Sequence, residues 1–113
     1  MNNRFGIPTD VLTAITKRDT RCSYCQKHLL YPYEPLNRND SATIEHLSYD
    51  GPFYWKEGLI AEDIVMACGM CNSSRGPKPL SKWFLSEYCT KKRIDSGSVS
   101  VEVRHFIERY PLK

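Results

Sequence analysis

Two short cysteine pairs, Cys22-x-x-Cys25 and Cys68-x-x-Cys71, stand 42 residues apart in a chain of 113. Each pair can chelate one ion, and four thiolates fill the closed tetrahedral shell that structural zinc prefers. The separation is wider than in a zinc ribbon or finger, so an ion held here closes a large loop instead of a small one. Structural zinc contributes roughly 10 to 16 kcal/mol to folding, comparable with the whole ~5 to 15 kcal/mol by which a domain is stable. Folding is therefore expected to require the metal. His28, in "CSYCQKH", is a further candidate ligand, but the four sulfurs already complete the shell. Cys89 stands alone.

Metal binding is favoured over disulfides by the expected compartment. The opening "MNNRFGIPTDVLTAITKRD" has only a short apolar run, broken by Asp10, which does not suit a secretory signal. No stretch reaches the ~20 apolar residues of a membrane span. A cytoplasmic protein with reduced thiols is expected. Hydrophobic residues at 41% and charged residues at 26% argue against disorder and against a fibrous repeat. The length suits a single domain over 1–113. Four bound thiolates and one zinc ion would change the formal charge of +3 to about +1. Net charge thus selects no partner. Local clusters, Lys17, Arg18 and Arg21 before the first cysteine pair and Lys91, Lys92 and Arg93 after the second, fit either a nucleic-acid surface or solvated helix ends.

Periodicity places a helix over 9–18, with Val11, Leu12 and Ile15 on one face and Thr9 as its N-cap. "LLYPYEPLNRND" reads as irregular connection. β-Branched residues in "ATIEHL", 42–47, and the run "IVMA", 64–67, predict two strands, separated by a turn at Asp50, Gly51 and Pro52. Cys71 to Arg75 suits a short helix stopped by Gly76 and Pro77. A helix over 81–92 capped by Ser81 would carry Phe84 and Tyr88 in line with Leu80, beside Trp83 and Leu85, and one over 99–110 carries Val99, Val103, Phe106, Ile107 and Tyr110. These apolar stripes are read as core. The class is α+β.

Chemistry concentrates in the loop that the cysteines close. Glu45 and His46 offer a hard carboxylate ligand and a base whose unperturbed pKa of ~6.5 suits proton abstraction near neutrality. The same dipeptide also occurs as an ordinary exposed acid beside a hydrogen-bonded imidazole. Asn72 follows Cys71 directly, so a metal that pins the helix start aims its amide at the hairpin bearing Glu45 and His46. Arg75, three residues on, shares its helical face and suits either a phosphate or a structural salt bridge. Phe53, Tyr54 and Trp55, beside Lys56, suit core packing or contact with DNA.

The pattern "CSYC", "ATIEHL", "DIVMACGMCNSSRG" over 22–76 resembles the HNH endonucleases, nucleases of the ββα-metal fold. The resemblance implies a small ββα-metal core with a structural zinc knuckle and flanking N- and C-terminal helices. It implies structural zinc on Cys22, Cys25, Cys68 and Cys71, His46 as general base, and a catalytic Mg²⁺ or Mn²⁺ on Glu45 and Asn72. The family more often has histidine where Asn72 stands and aspartate where Glu45 stands; the longer acid would shift the ion. Asp63 occupies the position of the family's middle asparagine and can accept but not donate hydrogen bonds, so it either orients His46 or weakens the site. The implied activity is hydrolysis of DNA phosphodiesters, giving a 5′-phosphate and a 3′-hydroxyl. One catalytic set would nick; a homodimer would cut both strands, and a partner protein would supply any targeting. The reading from another class is a non-catalytic zinc module that binds nucleic acid or protein.

Overall fold

A computed structural model describes residues 6–48 and 63–109. The expected turn at 50–52, the aromatic group 53–55 with Lys56, and Tyr110 lie outside the described residues. Among the described residues the chain forms a small α+β structure around one two-stranded sheet. Helix α1, Thr9–Arg18, leads to the first cysteine pair, and a connection containing a 3-10 segment at Pro35–Asp40 leads to strand β1, Ala42–His46. Strand β2, Ile64–Cys68, runs straight into helix α2, Gly69–Arg75. Helices α3, Leu80–Trp83, α4, Glu87–Lys92, and α5, Val101–Arg109, follow.

The sheet is antiparallel, with Ala42 opposite Cys68, Glu45 opposite Val65 and His46 opposite Ile64. Successive side chains leave a strand on opposite faces, and each face has its own core. One face carries Ala42, Ile44, Ile64 and Met66 against Leu12 and Ile15 of α1. On the other, Leu47, Val65 and Ala67 meet Tyr24, Trp83, Val103 and Phe106. A strand covered on both sides needs no polar alternation, and all five residues of β2 are buried.

Both outer edges of this small sheet are closed. Arg18 Nη2 donates to the Ile64 carbonyl at 2.8 Å, Met66 N donates to Asp19 Oδ2 at 2.9 Å, and Ser23 N donates to the Met66 carbonyl at 3.1 Å. On β1, Ala42 N donates to the Leu30 carbonyl at 2.8 Å and Asn72 Nδ2 donates to the Ile44 carbonyl at 3.1 Å. Several of the edge groups that would otherwise template another strand are thus satisfied within the chain.

Several boundaries depart from the sequence reading: α2 starts at Gly69 and not at Cys71, and α3 starts at Leu80 behind Pro79, so Ser81 lies inside a helix and does not cap it. The helix expected over 81–92 is two helices, because Ser86 takes an extended conformation and its hydroxyl accepts the Cys89 N–H, starting α4 afresh. Leu85, at the break, is 84% exposed and outside the core. Thr9 is the first helical residue instead of the cap; Pro8 precedes it and its carbonyl accepts from Leu12 N at 2.9 Å. In the last helix Val99 is buried ahead of the helical start, and the Ser100 hydroxyl accepts the Val103 N–H. Among the described residues, no helix is long and apolar enough to cross a membrane.

Candidate metal centre and the strand beside it

The first cysteine pair sits in a tight knuckle. Cys22 N donates to the Lys27 carbonyl at 2.8 Å and Gln26 N to the Cys22 carbonyl at 3.0 Å, with Gln26 in the left-handed region at φ 69°. The second pair is built by the junction of β2 and α2. Cys68 ends the strand in an extended conformation and caps the helix, its sulfur accepting the Cys71 N–H at 3.4 Å. An N-cap and the residue three positions on face each other across a first helical turn, which is the spacing chelation needs.

All four sulfurs lie within 4.8 Å of one another, and Cys25 and Cys68 are 3.9 Å apart. Four sulfurs at ~2.3 Å from one tetrahedral ion would stand about 3.8 Å apart. The cluster therefore fits a single structural metal ion such as zinc. Cys22, Cys68 and Cys71 are fully buried and Cys25 half-buried. The crowded thiols shift one another: hydrogen bonds with Cys22 hold Cys25 far below the ordinary thiol range and Cys68 at about 6. Bonds with Cys25 and Cys22 hold Cys22 and Cys71, respectively, far above it. Metal binding replaces such shared protons, since the ligand is the thiolate. The Tyr88 hydroxyl lies 3.1 Å from Cys71 Sγ. Burial, and then the hydrogen bond with Cys71, push this phenol up. Sequence reasoning placed Tyr88 only in the core. His28 is exposed, and the four cysteines form the one such metal cluster among the described residues.

Glu45 is 6% exposed. The Tyr24 hydroxyl donates to its Oε2 at 2.8 Å, and Arg75 Nη1 stands 3.5 Å from the same oxygen. Burial pushes the carboxyl up from the ordinary range, against the pull of the Arg75 guanidinium. Burial and the adjacent carboxylate push the Tyr24 phenol well up, which keeps it a donor. Tyr24 is a functional neighbour that sequence reasoning missed. Its only signal was a place between Cys22 and Cys25.

Arg75 is 1% exposed. Nε donates to the Lys78 carbonyl at 2.9 Å, Nη1 to the Tyr24 hydroxyl and the His46 carbonyl at 3.1 Å each, and Nη2 to the Leu47 carbonyl at 2.7 Å. Of the two roles weighed for this residue, phosphate contact and structural salt bridge, the structure has the second. A guanidinium surrounded this way is closed to an external phosphate. It fixes the end of β1, at His46 and Leu47, to the end of α2.

Asn72 is half-buried and reaches β1, its Nδ2 donating to Thr43 Oγ1 at 3.0 Å and to the Ile44 carbonyl. Its amide oxygen is thereby left for another partner. Strand alternation sets Glu45 on the same side of β1 as Thr43, and His46 on the side of Ile44. The loop between the two cysteine pairs thus brings α2 and Asn72 onto the strand that carries Glu45 and His46, with the carboxylate turned inward to Tyr24 and the imidazole leaving by the other face. Asp63 is held by Arg109, which donates to its Oδ1, and its carbonyl accepts the Leu47 N–H at 2.9 Å. It borders the residue after His46 from across the hairpin. No family model matches the chain, and no curated protein or solved structure matches it.

Proposed function

We propose that this protein is a metal-dependent endonuclease of the HNH type, hydrolysing DNA phosphodiesters. One observation carries the reading: a four-cysteine cluster joins the β2–α2 junction to the Cys22–Cys25 knuckle, and α2 meets β1 through Asn72. A hairpin followed directly by a helix that lies against it, with acid, imidazole and amide on those elements, supports the motif resemblance over 22–76. Zinc suits the cysteine cluster, because d¹⁰ Zn²⁺ accepts four thiolates in tetrahedral geometry.

The remaining donors are hard oxygens, a carboxylate from Glu45 and an amide from Asn72, of the kind Mg²⁺ or Mn²⁺ takes. A cation bound there would neutralise charge on the leaving and non-bridging oxygens of a phosphodiester. Tyr24 and Arg75 fix Glu45 through Oε2, and the His46 backbone N–H also bonds the carboxyl, so a cation would have to share this buried carboxylate with them. Asn72, anchored through its nitrogen, offers Oδ1. His46, held at the strand end through its carbonyl by Arg75, would take a proton from water so that the hydroxide attacks phosphorus in line with the leaving oxygen; because its imidazole leaves the face of β1 opposite Glu45, this step requires the chain to bend at the end of β1 when substrate binds. Asp63, fixed by Arg109, borders the strand end rather than a cation.

The test is supercoiled plasmid with zinc-loaded protein in the presence of Mg²⁺ or Mn²⁺. Metal-dependent nicking that His46→Ala abolishes, with zinc content and circular dichroism unchanged, is the expected result. Equal nicking by the variant would refute the role of His46. A second reading, a non-catalytic zinc module that binds nucleic acid or protein, is favoured by the inward engagement of the Glu45 carboxylate. It predicts DNA or protein binding without metal-dependent nicking.

A further inference from the structure

Along the outer side of β1 runs a groove that neither the cysteine cluster nor the Glu45 pair uses. One hollow of about 710 Å³ has Tyr31, Tyr33, Arg38, Thr43, Asn72 and Ser73 in its walls. A second, of about 370 Å³, has Thr13, Lys17 and Leu29. The two share Thr16, Tyr31, Ala42 and Met66, so they are continuous, with Tyr31 standing at the junction. Volumes of this order accept groups of ligand size.

The chemistry of the walls narrows the ligand. Tyr31 is 53% and Tyr33 45% exposed, and neither has a hydrogen bond or ring contact among the described residues. Exposed rings facing a hollow with a small floor, Ala42 and Gly69, offer flat surfaces on which a planar base can stack. Arg38 and Lys17, one in each hollow, are exposed and have no ion pair among the described residues. The one carboxylate in either wall, Asp19, is already neutralised by Arg18 at 2.8 Å. The hollows therefore have mostly apolar walls that carry two exposed tyrosines, two cations and no unpaired acid.

We infer that this groove binds unpaired nucleotides of a single-stranded nucleic acid, with Tyr31 and Tyr33 stacking bases and Arg38 and Lys17 holding phosphates. Bases in an intact duplex are stacked on each other and cannot enter such a hollow, whereas unpaired ones can. The inference deepens the nuclease reading and rests on it for the class of ligand. Asn72 joins the two, since it lines the groove and anchors on the strand bearing Glu45 and His46.

The experiment is fluorescence anisotropy of a labelled oligothymidine and of a duplex of equal length, with zinc-loaded His46→Ala protein across a salt series. The probe should bind more tightly as the single strand. Tyr31→Ala or Tyr33→Ala should weaken it about 5- to 150-fold. Arg38→Ala should flatten the slope of log affinity against log salt by about 0.7. Leu85→Ala, an exposed residue outside the groove, is the control and should change neither. Circular dichroism and zinc content establish that each variant is folded.

Binding unchanged by all three groove substitutions, or absent altogether in folded protein, would overturn the inference. Plasmid nicking by wild-type protein alongside tyrosine-independent binding would sink the groove and leave the nuclease reading intact. Tyrosine-dependent binding of the single strand, with no nicking in Mg²⁺ or Mn²⁺, would do the reverse.

Discussion

Arg75→Met tests how the strand end and α2 are held together. The substitution keeps a long apolar stem but removes every donor to Tyr24, His46, Leu47 and Lys78, and strips the buried Glu45 of its cation. Stripped of that cation, the carboxyl can escape its charge by taking up a proton, which caps the electrostatic part of the cost. For a carboxyl of ordinary pKa ~4.3 in the unfolded chain, holding that proton at pH 7 costs at most about 3.7 kcal/mol, and at pH 5 about 1 kcal/mol. The loss of bonds to buried carbonyls adds about 1 to 3 kcal/mol. A total near 3 to 5 kcal/mol at pH 7, the range for breaking a buried pair, is a large share of the ~5 to 15 kcal/mol of a domain.

The sign follows from the direction of the shift. A carboxyl whose folded pKa is raised contributes stability that is fully present below the unfolded pKa and is lost as pH rises through the folded pKa. The deficit of Arg75→Met should therefore shrink by roughly 2 to 3 kcal/mol between pH 7 and pH 5. Adding Glu45→Gln should remove that pH dependence. The assay is urea unfolding of zinc-saturated protein, followed by circular dichroism, in a double-mutant cycle against wild type at each pH. A deficit below about 1 kcal/mol, or one indifferent to Glu45→Gln, would refute the argument that the guanidinium balances a buried charge.

Three further outcomes are expected. Chelation should unfold the chain, because a structural zinc site contributes as much as the whole stability of a domain; melting curves with and without chelator, and one metal equivalent per chain by elemental analysis, check this. Tyr88→Phe removes the hydroxyl at 3.1 Å from Cys71 Sγ and should weaken the metal about 10- to 100-fold in a competition titration. Unchanged affinity would show that this bond is idle. Gly69→Ala would set a Cβ 2.1 Å from the Arg38 carbonyl oxygen, so α2 and the 3-10 segment must separate at a cost of about 1 to 3 kcal/mol, measured by urea midpoint against Ser73→Ala.

The elements that sequence made legible were those with a local signature. α1 and the strands, expected over 42–47 and 64–67 and found over 42–46 and 64–68, follow from periodicity, β-branching and an unbroken apolar run, and the cysteine spacing predicts a cluster that the fold assembles. What stayed hidden depends on choices made across space. A serine at 86 looks like any polar residue on a helix until its hydroxyl turns to Cys89 N and restarts the helix. Arg75 has the same spacing from Asn72 whether it faces water or carbonyls; only the third dimension, with Tyr24 and Glu45 in place, decides it. Tyr31 and Tyr33 sit in a stretch with no periodicity, and nothing local joins them to Asn72 across a groove.

The closed edges of the sheet bear on how this protein fails. β2 is an uncharged run, Ile64 to Cys68, kept from neighbouring chains by Arg18, Asp19 and Ser23, the last of which directly adjoins a metal ligand. Where the cysteines hold an ion, its loss would loosen the Ser23 part of that guard and expose more of a short, charge-free, β-prone segment, the kind that nucleates intermolecular stacking. If the cluster holds zinc, oxidative or acidic loss of that ion would favour insoluble aggregate, and recovery from inclusion bodies would improve when zinc is supplied before the denaturant is diluted.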